Sequence, residues 1–230
     1  MLYFTHKLLE ETKAKDLARH LMMSNEWVDG KASSAPGNIV KKNLQLNFGT
    51  EQHSKFSNEI INIIENDYRI KNYSFPAKIF NILFTRTGEG MFYGPHIDAP
   101  CVPTGRRDLS FTIFLNEKQN YKGGELILYI SPERKQIKLN PGEMIIYPTK
   151  YLHEVKEVTE GERMVCVGWI ESQIPRDDDR ESLFLMKTGI SEITKQSGNT
   201  NTLSVFLSMF SCVTLVSSPV NCNKSSPIAS

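Results

Sequence analysis

The sequence predicts a mainly β protein with N-terminal helices, an α+β chain whose core is a sandwich, barrel or jelly roll. Two observations predict it. From Ala77 to Ile170, short runs rich in β-branched and aromatic residues follow one another with Gly- and Pro-bearing turns between them. Before Ala77 the apolar residues recur at helical spacing instead.

The elements follow in order. In EETKAKDLARHLMMSN, Leu17, Ala18, Leu21 and Met22 fall on one helical face. WVDGKASSAPGNIVKKNLQL reads as loop up to about Ile39, because Gly, Ser and Pro crowd it. A second helix fits EQHSKFSNEIINIIENDYRI, with Phe56, Ile60, Ile63 and Ile64 as its apolar stripe. The strands are AKIFNILF, LSFTIFLN, GELILYI, QIKL, EMIIYP and RMVCVGWI, and YKGGE, LNPGE and TEGER supply turns between several of them. Strands of this length and spacing close into a sandwich or barrel, and the helices are expected on its outside.

Three regions result. Residues 1–76 form a helical and loop region, 77–175 the β core, and 176–230 a divergent C-terminal segment. From Gln196 onward Lys224 is the only charged residue and Ser, Thr and Asn dominate. That is the composition of a poorly ordered tail, or of an irregular cover over the barrel. Its uncharged run LSVFLSMFSCVTLVSSPV is broken by serines and a proline, so no membrane helix is expected.

Charge and cysteines exclude several classes. Twenty-seven basic against 26 acidic residues leave a net charge of +1, so no global field favours nucleic acid or an anionic membrane. The four cysteines include no Cys-x-x-Cys pair, which excludes a zinc knuckle or a thioredoxin-like motif. The opening MLYFTHKLLEETKAKD has no secretory character, and a reducing, cytoplasmic setting is expected.

The chemistry starts in MFYGPHIDAP. In an extended segment residues i and i+2 leave the same face, so His96 and Asp98 point together. A polar pair on a wet strand face is the bland alternative. Non-haem iron takes two histidines and one carboxylate and keeps open positions, so a third ligand must come from elsewhere. His6, His20 and His53 lie in the helical part and read as surface residues. His153, in YPTKYLHEV beside the strand EMIIYP, is the remaining candidate, unless it is only a loop-edge histidine. Ten residues on, Arg163 shares a strand face with Val165, Val167 and Trp169. A guanidinium on an apolar face needs an anion. Glu125 or Glu143 could provide it, and a bound dicarboxylate would serve equally.

These positions carry a resemblance. HID in a β context, then His153, then Arg163, resembles the Fe(II)/2-oxoglutarate dioxygenases. WVDGK, KKNLQL, YGPHIDAP, RRDLSFTIFLN, YKGGELIL and PGEMIIYPTKYLHEVKEVTEGERMVCVGWIES narrow it to the PKHD-type hydroxylases, in the branch resembling the prolyl 4-hydroxylase alpha subunit, from about Trp27 to Phe184. The resemblance implies a double-stranded β-helix (jelly-roll, cupin-like) core. It implies iron at His96, Asp98 and His153, and the far carboxylate of 2-oxoglutarate at Arg163. It also implies hydroxylation of a C–H bond on a peptidyl substrate with release of succinate and CO2, and L-ascorbate as reductant. A small-molecule or nucleobase substrate, or a non-enzymatic metal-binding module, are the alternatives. Repair demethylases use a second arginine six residues after the first, where this chain has Trp169, so no nucleic-acid partner is expected. Two departures stand out: Thr87 where family members often carry tyrosine, and the uncharged tail.

Overall fold

Alternate residues of an extended chain leave opposite faces, and along Arg163–Ser172 this alternation separates the layers of the protein. Met164, Cys166 and Ile170 pack towards the N-terminal helices, while Val165, Val167 and Trp169 turn to the opposite face. The structure, a computed structural model, describes residues 3–33 and 40–197. In chain order the first half comprises β1 (Phe4–Lys7), α1 (Glu11–Met22), β2 (Trp27–Asp29), a 3-10 turn at Gly30–Ser33, β3 (Lys41–Lys42), β4 (Leu44–Leu46), α2 (Glu51–Asn66), α3 (Tyr68–Ser74) and β5 (Pro76–Thr87). Then come β6 (Phe92–His96), β7 (Cys101–Val102), β8 (Gly105–Arg106), β9 (Leu109–Phe114) and β10 (Tyr121–Gly123). The last elements are β11 (Leu126–Ile130), β12 (Glu133–Ile137), β13 (Glu143–Pro148), β14 (His153–Val155), β15 (Val158–Gly161), β16 (Arg163–Ser172) and α4 (Asp177–Ser197).

Two antiparallel sheets face each other. The larger runs β1-β13-β9-β16-β5-β4-β2 and the smaller β12-β11-β14-β6-β3. Helices α1, α2 and α3 cover the outer face of the larger sheet, where Leu21, Ile60, Ile64 and Ile70 meet Phe84, Phe111 and Ile146. Between the sheets, Phe114, Ile145, Tyr147 and Val165 pack on Leu126, Leu128, Ile130 and Ile137. The expected β core with helices outside is therefore present.

The differences have local causes. The single helix expected over residues 51–70 is two, because Asp67 leaves helical geometry to cap α3, accepting from the Ile70 amide at 2.9 Å. On α1 the buried face is Ala14, Ala18 and Leu21, and Met22 is exposed. Of the three histidines expected at the surface only His20 is exposed. His6 lies in β1 and bonds Asp67 (2.7 Å), and His53 is buried against the Ile82 carbonyl (2.9 Å). A histidine with an acceptor in reach is as comfortable inside as outside. Strand QIKL begins earlier, at Glu133, where hairpin pairing with β11 sets the register. The stretch expected as loop contains β2, which exists by pairing with β4. β1, β3 and β4 are likewise too short to show a period. Asp177–Ser197 is a helix; the uncharged run expected as an irregular tail lies almost wholly outside the described residues.

The YKGGE turn needs its glycines. Gly123 has φ +71°, and a Cβ there would sit 2.0 Å from the Glu157 carbonyl oxygen; one on Gly124 would press on the Arg163 side chain at 3.1 Å.

Ile60 tests the outer core. It is 1% exposed and lies outside the cavity between the sheets. Ile60→Ala should cost about 2–5 kcal/mol in urea unfolding, with metal affinity of the folded variant unchanged. Loss of metal binding in the folded variant would mean that the helical layer shapes the site.

Candidate metal centre

Antiparallel pairing of β6 with β14 sets His96 opposite His153. Asp98 follows two residues after the end of β6, and the ligand-type atoms of the three residues lie within 4.8 Å of one another. Asp98 Oδ1 is 3.6 Å from His96 Nε2, and its Oδ2 is 3.8 Å from His153 Nε2. Both imidazoles are oriented in the same way. His96 Nδ1 meets the Gly94 carbonyl and His153 Nδ1 the Tyr151 carbonyl, each at 2.9 Å. Carbonyls only accept, so each Nδ1 carries the proton and each Nε2 presents its lone pair to the centre. Burial, reinforced by His153, holds His96 well below the ordinary imidazole range and keeps it neutral.

Asp98 is tied to the larger sheet. Its Oδ2 accepts from Ser110 Oγ and from Trp169 Nε1, each at 2.9 Å. Ser110 and Trp169 face each other across the β9–β16 ladder, which brings both donors to one oxygen. With the Ser110 proton committed to Asp98, Thr149 must donate to Ser110 (3.0 Å). Burial alone would raise Asp98, but His153, His96, Trp169 and Ser110 outweigh it and hold the carboxyl below its ordinary value.

The triad lines a cavity of about 510 Å³ between the sheets. Arg163 lines the same cavity, 3% exposed, with Nε unpartnered. Neither candidate carboxylate pairs with it among the described residues: Glu125 meets Lys138 (3.7 Å), and Glu143 accepts from Asn140. Burial pulls the guanidinium below its ordinary value, opposed by Tyr121, Tyr147 and Glu125 nearby. The residues fit both groups that the sequence resemblance implies. Two imidazoles and a carboxylate are the donor set of a non-haem ferrous site, and a buried guanidinium with its Nε unpartnered suits a carboxylate.

The geometry agrees with the comparisons. Residues 82–171, from β5 to β16, match the 2OG-Fe(II) oxygenase superfamily. A PKHD-type hydroxylase of Prochlorococcus marinus (strain MIT 9301) is 41% identical over 92% of this chain and 96% of its own length. The chain belongs to the PKHD-type hydroxylases. It is thus a 2-oxoglutarate-dependent dioxygenase. A second relative, from Prochlorococcus marinus (strain MIT 9211), is 38% identical over 90% of this chain and 94% of its own. Among solved structures, a Pseudomonas putida prolyl-4-hydroxylase superposes with a TM-score of 0.56 at 16% identity, covering 74% of this chain and 92% of that one. A Trichoplax adhaerens prolyl hydroxylase in complex with a hypoxia inducible factor peptide fragment also gives 0.56, at 18% identity, covering 79% and 86%. These two likenesses show the double-stranded β-helix fold.

In this PKHD-type hydroxylase Thr87 sits opposite Arg163 on the neighbouring strand, buried and lining the cavity. Ser110 and Trp169 escaped the sequence reading as partners of Asp98. The available signal was Trp169 on the Arg163 face; the missing fact was the register that sets it beside Ser110.

Trp169→Phe keeps an aromatic ring and removes one donor from Asp98, and Ser110→Ala removes the other. Each should weaken manganese(II) or iron(II) binding about 10- to 100-fold, measured by anaerobic titration. Wild-type affinity in both variants would show that Asp98 needs neither donor.

Proposed function

We propose that His96, Asp98 and His153 bind ferrous iron and that Arg163 binds the distal carboxylate of 2-oxoglutarate. The protein then hydroxylates a C–H bond of a peptidyl, prolyl-type substrate and releases succinate and CO2. One observation carries the reading: two imidazoles and a carboxylate converge in a cavity that also holds a buried guanidinium whose Nε has no partner. The peptidyl part draws on the Pseudomonas and Trichoplax proteins, the second of which was solved with a peptide.

Bound iron and 2-oxoglutarate would supply dioxygen activation, with one oxygen atom passing to succinate and the other to the substrate. The chain's residues prepare this. The Gly94 and Tyr151 carbonyls lock both imidazoles in the metal-ready tautomer. Ser110 and Trp169 engage Asp98 Oδ2 and fix how the carboxylate is turned. Arg163, buried with its Nε unpartnered, regains part of its lost hydration by gripping an anion. Leu126, Val155 and Val167 line the cavity and limit water. Ascorbate is the reductant we assign for iron oxidised in turnover without substrate. Cytoplasmic residence is our reading of Cys166, a free thiol buried in the core. Among the described residues no helix is long and apolar enough to cross a membrane.

The direct experiment incubates the protein with iron(II), 2-oxoglutarate, oxygen and candidate peptides, and follows succinate and a mass gain of one oxygen. Absence of any succinate would overturn the reading. His153→Ala should abolish both metal binding and succinate formation while circular dichroism shows a retained fold, because three ligands leave no spare. An unchanged iron affinity would remove His153 from the set. Arg163→Leu should keep the metal but raise the 2-oxoglutarate requirement, since a buried charge pair is worth about 2–5 kcal/mol, or roughly thirtyfold or more in affinity. Arg163→Lys should fall between, because an ammonium cannot form the bidentate pair. Wild-type 2-oxoglutarate affinity in Arg163→Leu would leave the arginine a structural role alone.

A further inference from the structure

One wall of the cavity is polar without serving the triad or Arg163. Lys41, Asn43 and Gln45 alternate along β3 and β4, and alternate residues of an extended segment leave the same face. All three are buried, at 4%, 9% and 1% exposure, and all line the cavity. Both polar atoms of the Gln45 carboxamide lack a hydrogen-bond partner, and so does Asn43 Oδ1. Lys41 Nζ donates to Ser33 Oγ at 2.8 Å and lies 5.2 Å from the centre of the Tyr93 ring, which stacks on His96 at 3.6 Å. Among the described residues no carboxylate is within ion-pair distance of Lys41. Burial pulls its ammonium down to about 8, a sign of how little compensates the charge.

Buried polar groups almost always find partners. A run of them facing one cavity is retained against a cost, and a ligand that matches them would offset it. The balance of charge says what kind. The charged residues lining the cavity are Lys41, Arg107, Arg163 and Asp98. A divalent metal, the Asp98 carboxylate, the Arg163 guanidinium and doubly charged 2-oxoglutarate cancel. Lys41 and Arg107 are left over. Arg107 lies 3.8 Å from the Trp169 ring centre with its Nε unpartnered. Each surplus cation is one aromatic ring away from a triad residue, Lys41 through Tyr93 to His96 and Arg107 through Trp169 to Asp98.

We propose that Lys41 and Gln45 form the primary-substrate subsite and that it takes a carboxylate-bearing peptide unit, the carboxylate on Lys41 and a backbone amide on Gln45. A peptide amide offers a donor and an acceptor together, which is what a free carboxamide pairs with. The carboxylate can come from a chain terminus or from an acidic side chain. The assignment rests on the oxygenase reading above.

The test uses the full chain with manganese(II) and 2-oxoglutarate, without oxygen, so that binding is read apart from turnover. Three probes are titrated by calorimetry: N-acetyl-Gly-Pro with a free carboxylate, its amide, and N-acetyl-Asp-Pro amide. At least one carboxylate probe should bind tenfold or more tightly than the neutral amide, and which one does names the source. Lys41→Met should erase that preference and Lys41→Arg should keep most of it. Gln45→Leu should weaken all probes tenfold or more while the melting temperature holds or rises, because the carboxamide makes no bond in the protein. In both variants metal and 2-oxoglutarate affinities should match wild type. Equal binding of acidic and neutral probes, or no binding of any, would overturn the subsite. A fall in 2-oxoglutarate affinity in Gln45→Leu would assign the wall to the cosubstrate, and a lower melting temperature would assign Gln45 to the core. Failure of wild type to bind manganese and 2-oxoglutarate at all would end the oxygenase reading and this one with it.

Discussion

Burying a carboxylate between two sheets costs several kcal/mol unless other groups compensate for it, and Asp98 is held where the two sheets meet. The larger sheet offsets part of the cost with a hydroxyl and an indole N–H, both donated to the same carboxylate oxygen. The smaller sheet sets two imidazole nitrogens 3.6 and 3.8 Å from that carboxylate. The triad therefore depends on the sheets keeping their spacing, and that spacing depends on the apolar contacts of Phe114, Tyr147 and Val165 with Leu126 and Leu128 beside it. Dispersion and burial keep the sheets together; hydrogen bonds decide where the carboxylate points.

This division explains why the larger sheet has one apolar face and one that carries buried polar residues. The helical face of the larger sheet is filled by large apolar side chains such as Phe84, Phe111 and Ile60. The opposite face of the same strands carries Ser110, Thr112, Thr85, Thr87 and Arg163, all buried. A single strand can serve both because its residues alternate. On β9, Leu109, Phe111 and Ile113 anchor the sheet on the helices while Ser110 reaches Asp98 from between them. The helices thus contribute to the site without touching it, by holding the backbone that aims its polar residues.

Much of this was legible in the chain. The long strands announced themselves through β-branched and aromatic density; His96, Asp98 and Arg163 stood out as polar residues in apolar stretches, His153 as the one histidine left among the β elements, and the family resemblance joined the four. They do line one cavity. What could not be read was whatever pairing alone creates. Strands β1, β2, β3 and β4 have two to four residues each, too few to show a period, and exist because longer strands offer them an edge. Ser110 and Trp169 are 59 residues apart in sequence, and only the β9–β16 register brings them to one oxygen. His53 illustrates the opposite failure, since nothing in its helix tells that the Ile82 carbonyl awaits it.

Buried polar residues that stabilise the fold differ from those kept for binding. His53, Ser172 and Asn116 are buried and bonded to backbone, so each repays its burial within the fold. Gln45, Arg163 and Arg107 each carry at least one buried polar atom with no partner, and all three line the cavity. A fold selected for stability alone would have replaced them with apolar residues of similar volume, which is often neutral or favourable. Their concentration around His96, Asp98 and His153 marks where this protein gives up stability, and those groups are left ready for whatever enters the cavity.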